Sequence, residues 1–383
     1  IIGPGENLLT ISGNNTSRIF LANTVNTSAT SISGMTLTNG SDAAQPNYGG
    51  GAILSYYSGN LILDHIIVKN SIASNSGGGG AVGFGDNNGN LIISNSTFDS
   101  NSVTANGANG LGGGIAAFVT NGHSINISNS TISNNTNLNG NYGGGATLGG
   151  PNGTVTITNT TITGNSAGKA GMTTGGGGGL MIQAPVTITN STIVNNAWNG
   201  DNTVNGGGGG LFLNNSSSTN TLINNIVANN TSTNASLNDS DILALLSVTI
   251  AGSNNLITNP IGITGSSTNT MTGTITTLGS ALGSLAFNGG AVQTISIAAG
   301  SNAISAGTAS GAPTTDARGF GRGGTVDIGA YEFSDDNTFD FTGVVSPNRG
   351  AIDVPSNYNL SIEFGTAVTA VAAKNIVIYR QSD

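Results

Sequence analysis

Residues 155–196 read VTITNTTITGNSAGKAGMTTGGGGGLMIQAPVTITNSTIVNN, a stretch that opens and closes on near-copies of one unit, 31 residues apart. In each copy Val or Ile alternates with Thr, Ser or Asn, the period-two pattern of a strand with one buried face. Between the copies a glycine run, Gly175–Gly179, leads into the apolar LMI. Working outward, the same unit returns as LIISNSTFDSN (91–101), INISNSTISNN (125–135), NTLINNIVANN (220–230) and, diverged, LILDHIIVKNS (61–71). Glycine runs end at Gly51, Gly80, Gly114, Gly145, Gly179 and Gly210, spaced 29, 34, 31, 34 and 31 residues. No helical periodicity interrupts this repeat. Each period therefore offers two or three short strands separated by turns. Stacking each strand on its equivalent one period later buries a continuous core and pairs the backbone, which predicts an all-β parallel β-helix. At about 4.8 Å per turn, seven to ten turns between residues 10 and 250 give a rod of roughly 35 to 50 Å.

Composition agrees. Of 383 residues 62 are Gly and 54 Asn, while charged residues make up 7 % and aromatics 5 %, which excludes an ordinary helical or α/β domain. Hydrophobic residues at 36 % are too many for a disordered chain. The formal charge of −9 disfavours nucleic acid as a partner. With no cysteine, neither a disulfide framework nor a Cys-based zinc site can form. No apolar run has the length of a membrane span. Ile1 follows no signal-like stretch, so the chain reads as a mature piece or an excerpt.

Asparagine recurs in register. One column ends each strand unit (Asn101, Asn135, Asn165, Asn196, Asn230) and another lies inside it (Asn95, Asn129, Asn159, Asn190). Asn tolerates left-handed turns, and stacked amides can hydrogen-bond from turn to turn. Both columns are expected to be internal ladders.

The pairing of Phe98-x-x-Asn101 with Gly113-Gly114-Ile115 resembles the repeats of polymorphic outer-membrane proteins and related bacterial surface proteins. That resemblance spans roughly residues 20–240 and implies a right-handed, single-stranded parallel β-helix. Past residue 240 the repeat fades. GSNNLI (252–257), GSLAFNGGAVQTISIAAGSNAISAG (283–307) and TDARGFGRGGTVDIGAYEF (315–333) are similar to the choice-of-anchor Q module of bacterial surface β-helix proteins. This implies terminal turns and a cap over 251–333, on a secreted or surface-attached protein, without enzymatic activity. Asp316, Arg318, Arg322, Asp327 and Glu332 concentrate charge that the repeats of 1–250 lack. They are expected to close the open end of the core with ion pairs and hydrogen bonds; a site for a small acid or metal is the alternative. A polar linker (334–343) precedes 344–383, which looks like the start of a bacterial Ig-like β-sandwich. Such a domain needs about 100 residues, so the polypeptide is expected to continue, or a neighbouring chain to complete the sheet.

β-Helices also carry carbohydrate lyases and hydrolases, which need paired carboxylates across a groove or a basic residue beside an acid cluster. The acids Asp42, Asp64, Asp86, Asp99, Asp201, Asp239 and Asp241 fall mostly at different phases of the repeat, and Lys69 and Lys169 are the only lysines between 20 and 300. Asp64, His65 and Lys69 form one local constellation, with Asp64 and Ile66 expected on one face and His65 on the other. His123 lies in an exposed turn and lacks partner ligands. Asp239 and Asp241, in NDSD, are candidate calcium ligands without the glycine and distal glutamate of an EF-hand; no other cofactor is implied. Thr-rich strands could present flat Thr arrays, though only over a few turns. Trp198 and Tyr142, in loops, could stack on sugars or pack against a glycine corner.

The expectation is a non-catalytic extracellular or cell-surface bacterial solenoid, acting as stalk, adhesin or matrix subunit. Its partners would be other copies of itself or a neighbouring surface protein, because open solenoid ends expose strand edges. A carbohydrate-binding or polysaccharide-degrading β-helix is the alternative.

Overall fold

Residues 154–185 show how one turn is made. Thr154–Thr158 is extended, Asn159 bends the chain at a φ of 49°, Thr161–Thr163 is extended again, and Gly164 bends it a second time at 66°. Ser166–Ala167 makes a third short strand, a loop reaches the glycine corner at Gly177 (φ 77°), and Leu180–Gln183 closes the circuit. The next turn repeats this in register, with Val155 opposite Val186, Ile162 opposite Ile193, Ser166 opposite Ala197 and Leu180 opposite Leu211.

The computed structural model describes residues 1–22, 29–43, 49–56, 59–74, 77–87, 89–104, 111–120, 122–201, 206–215, 218–233, 241–259, 261–333, 345–346 and 361–362. The chain has two compact units, Ile1–Phe333 and Ser334–Asp383. Unit one is a parallel β-solenoid with sheets of sixteen, nine and six strands. Six successive turns carry a strand of every sheet, from Ile72–Ala73 to Thr231–Ser232 in the smallest. Nine strands at about 4.8 Å spacing put its length near 38 Å. No helix occurs among the described residues, so none is long and apolar enough to cross a membrane. In unit two Val345–Ser346 pairs antiparallel with Ser361–Ile362; the expected linker and the remainder of the segment expected to be Ig-like lie outside the described residues.

The core is a set of aliphatic stacks. Leu91, Ile125, Val155 and Val186 continue one another, as do Phe98, Ile132, Ile162, Ile193 and Val227, each at most 2 % exposed. Burying each such side chain contributes about 1.5–3 kcal/mol. At the glycine corner the turns approach so closely that a Cβ on Gly144 would meet the Gly178 carbonyl oxygen at 2.2 Å. That closeness is why glycine runs mark the period.

The bends also reset alternation. Leu61 and Leu63 face inward, but the left-handed His65 (φ 48°) advances the phase by one, so Ile66 and Val68 are the next inward residues. Asp64 and Ile66 are therefore on opposite faces, contrary to uninterrupted alternation.

Residues 275–333 do not continue the coil. After Ile275 the chain forms a hairpin, Leu282–Ala286 with Thr294–Ile297, and then runs back along the rod's flank. Thr131 Oγ1 donates to the Gln293 carbonyl, Asn159 Nδ2 to Thr315 O, Asn190 Nδ2 to Asp327 O, Asn224 Nδ2 to Thr308 O and Asn254 Nδ2 to Ala306 O. A second apolar core, with Val194, Ile226, Ala228 and Leu256 from the rod and Ile295, Ile297, Ala303 and Ile328 from this strap, seals the contact.

Candidate functional site

At the second bend of each turn a left-handed residue precedes an inward polar side chain, an amide in all but the first of them. Asn70, Ser100, Asn134, Gly164, Asn195 and Asn229 have φ between 53° and 66°, and Ser71, Asn101, Asn135, Asn165, Asn196 and Asn230 follow them. The five asparagines are at most 3 % exposed. Asn101 Nδ2 donates to Asn135 Oδ1 at 3.0 Å, Asn135 to Asn165 at 2.9 Å, Asn165 to Asn196 at 2.9 Å and Asn196 to Asn230 at 3.0 Å. The same oxygens accept the backbone N–H of the preceding rung's amide residue. Each Asn thus satisfies buried donors and acceptors of two turns.

The column ends on Asp241. Its Oδ1 accepts from Asn230 Nδ2 at 2.9 Å, and its Oδ2 accepts from Thr258 Oγ1 at 2.9 Å and the Asn259 N–H at 2.8 Å. Both oxygens are committed to protein donors, so Asp241 acts as the ladder's last member. Burial raises its pKa, and the bonds from Asn230, Asn259 and Thr258 only partly oppose this. Asp239 lies outside the described residues.

The first bend corrects an expectation. Asn95, Asn129, Asn159, Asn190 and Asn224 are themselves the left-handed residues, φ 45–55°, and their side chains point outward. Asn159 Nδ2 bonds to Asn129 Oδ1 at 3.1 Å, and Asn224 Nδ2 to Asn190 Oδ1 at 3.1 Å, on the face the strap covers. The inward position is one residue later. There Ser96, Ser130, Thr160, Ser191, Asn225 and Asn255 are buried, and Ser130 Oγ accepts from the Ser96 N–H, Ser191 Oγ from Thr160 and Asn255 Oδ1 from Asn225. The sequence signal for this second ladder was the small polar residue after each Asn.

The charged residues of 316–332 form the interior of the strap and not a plug at the rod's end. Arg318 pairs with Asp316 at 2.7 Å and lies over the Tyr331 ring, 3.6 Å from its centroid. Arg322, with a side chain 1 % exposed, pairs with Glu332 at 2.6 Å, donates to Gly329 O at 2.8 Å and reaches Asn159 Oδ1 of the rod at 3.1 Å. Asp327 accepts from the N–H groups of Ser305 and Phe333. Burial lowers the Arg322 pKa and raises that of Glu332. The physical reason for the location is the flank itself: strands Thr131–Ser133, Thr161–Thr163, Thr192–Val194 and Ile226–Ala228 are buried on both faces, so their outward side needs a cover.

The remaining candidates act between rungs. Asp64 accepts from Ser94 Oγ at 2.6 Å, from Asn95 Nδ2 at 3.0 Å and contacts His65 Nδ1 at 2.8 Å. Burial opposes its charge, but these bonds outweigh it and lower its pKa. Lys69 is the exposed register partner of Asp99, and Lys169 Nζ donates to Asn139 Oδ1. Asp42 accepts from Ser74, and Asp201 from the Gly171 N–H. His123 is half-buried, its carbonyl accepting from Thr154 N. Trp198 is on the strand Ala197–Trp198, buried against Gly168 and Gly200, and Tyr142 packs on Met181, Phe212, Leu243 and Leu245.

One cleft, of about 550 Å³, opens between the second-bend column and the strap hairpin. Asp99, Asn134, Thr163, Gly164 and Asn195 line it from the rod, and Leu285 and Gln293 are among its lining from the hairpin. Asp99 accepts from Ser133 Oγ at 2.6 Å, Asn134 Nδ2 at 2.8 Å and Ser100 Oγ at 2.9 Å. Among the described residues no group of three or more His, Cys, Asp or Glu could hold a metal ion. No protein-family model matches the chain, and neither a curated protein nor a solved structure matches it.

Proposed function

We propose that the chain is a non-catalytic structural or adhesive β-solenoid of a bacterial cell surface or extracellular matrix, part of a longer modular protein and able to self-associate or to join a neighbouring surface protein. The observation that carries this reading is how the rod's carboxylates are used. Asp42, Asp64, Asp99, Asp201 and Asp241 each accept hydrogen bonds from a neighbouring turn. They staple successive turns, where hydrolysis would need two carboxylates facing one another across a substrate. Inner ladders, strap and low charge suit a rigid rod.

The resemblance to polymorphic outer-membrane-protein repeats, the anchor-Q-like strap and the Ig-like start support surface attachment, and the strong preference of parallel crossovers supports a right-handed coil. The test is labelling of intact cells with antibodies to the rod, alongside assays for reducing ends and unsaturated products on neutral and acidic polysaccharides. Surface labelling without product formation is expected. Labelling only after permeabilisation, or product formation abolished by Asp64→Asn or Asp99→Asn, would overturn the reading in favour of an internal protein or a polysaccharide-degrading enzyme.

A further inference from the structure

We infer that the cleft between the second-bend column and the strap hairpin binds a linear neutral oligosaccharide lying along the rod axis. Asp99, Asn134, Gly164 and Asn195 stand on four successive turns, as the register of Asp99 with Ser133, Thr163 and Val194 fixes. Three spacings of about 4.8 Å make a track of roughly 14 Å, close to the length of three pyranose residues in an extended chain. The volume of about 550 Å³ falls within the range of ligand clefts, roughly 300–1,000 Å³.

The chemistry along the track suits sugar hydroxyls. Asn134 and Asn195 are exposed and present amides that donate and accept. Asp99 Oδ1 already accepts from Ser133 and Asn134, while among the described residues Oδ2 accepts from Ser100 alone, leaving lone-pair capacity for a hydroxyl donor. Leu285, half-buried on the opposite wall, offers an apolar surface to ring C–H groups. Gly164 interrupts the side-chain column: a Cβ there would meet Asn134 Oδ1 at 2.6 Å, so glycine keeps a notch open in the middle of the track. Asp99 is the sole charged residue of the lining among the described residues, and the chain carries a formal charge of −9, both of which repel an acidic glycan. Lys69, its register partner on the preceding turn, opposes a cationic one.

This inference rests on the adhesive branch of the proposed function. The experiment is native affinity electrophoresis of the full chain through gels containing a soluble β-glucan, glucomannan, xylan or polygalacturonate. Retardation by at least one neutral polysaccharide is expected, with at least tenfold weaker binding for Gly164→Asn, which fills the notch with a residue tolerant of the left-handed bend, and for Asp99→Asn. Asp64→Asn, an equivalent staple outside the cleft, should bind as the unaltered chain does, and thermal melting establishes that each variant is folded. If Gly164→Asn does not fold, Asp99→Asn carries the test alone. Absence of retardation by every neutral polysaccharide, retardation by polygalacturonate alone, or unchanged binding by the folded cleft variants would overturn the assignment while leaving the stalk role intact. Release of reducing ends from a retained polysaccharide would instead overturn the non-catalytic reading and leave binding standing.

Discussion

The second strand of each turn presents an outward column that changes character along the axis. In register it runs Lys69, Asp99, Ser133, Thr163, Val194 and Ala228, beside Ile67, Thr97, Thr131, Thr161, Thr192 and Ile226. On the first two of these turns the residues are exposed or half-buried; from Thr131 onward they are buried beneath the strap. Bare and covered turns share the same inner stacks and ladder, so the difference lies in one face. A strand with water on one side tolerates Lys and Asp there, whereas a strand covered on both sides favours small or apolar residues, or hydroxyls that find a partner. Thr131 and Thr192 find one, bonding Gln293 O and the Ala330 N–H; the Thr161 hydroxyl, buried with no partner among the described residues, is the exception.

The largest effect should come from the ion pair that closes the strap. Arg322→Ala leaves Glu332 buried without its cation and removes the bonds to Gly329 and Asn159, a loss of about 3–5 kcal/mol. Trypsin reads it out conveniently. Arg318, 7 % exposed in its side chain, should become a fast cleavage site, while cleavage after Lys69 on the bare turns stays slow. Equal acceleration at both sites would mean that strap and rod open as one unit, and the distinction between covered and bare turns would fail.

Next is the ladder that both regions share. Asn165→Ala strands the Asn135 backbone N–H and one hydrogen of its Nδ2, whose other hydrogen keeps the Phe98 carbonyl, and takes a donor from the Ile132 carbonyl. Two neutral donors, each toward the lower end of about 1–3 kcal/mol per buried unsatisfied group, cost about 2–4 kcal/mol. Asn195→Ala, on the adjacent exposed left-handed position, should lose only about 1 kcal/mol of backbone preference. Urea unfolding of the two variants checks the ranking, and equal losses would deny the inner column its role.

The contrast between these positions also explains what could be read from sequence. The period, the parallel stacking and the Asn101-to-Asn230 column were legible because identical residues recur at identical phase. The strap's path was not, since its contacts join Thr131 to Gln293 and Asn159 to Thr315, segments with no repeat in common. A hint was present in the outward column, where Lys69 and Asp99 give way to Val194 and Ala228. Alternation alone hides that drift, because a Thr reads as solvent-facing whether water or another segment covers it. The second inner ladder escaped for a related reason: counting by two through Asn159 ignores the phase advance that its own left-handed φ imposes. The cleft needs both walls, and only the rod's wall repeats.

The smallest effect is a matter of sign, and it separates two carboxylates that look alike in sequence. Asp241 has a raised pKa in the folded chain, chiefly through burial. Between its unfolded and folded values the native state holds more protons, so rising pH through that window lowers stability, and Asp241→Asn should remove that part of the pH dependence. Asp64 is the reverse. Its pKa is lowered, so its contribution is present above the ordinary carboxylate range and is lost as pH falls through the depressed folded value. With a side chain 39 % exposed, solvent screens the gain to about 0.5 kcal/mol or less. Urea midpoints measured from acid to neutral pH should therefore show Asp64→Asn slightly less stable than the unaltered chain near neutrality and indistinguishable in acid. A deficit for Asp64→Asn that grows toward acid would show that the staple on the bare turns is held by something other than its charge.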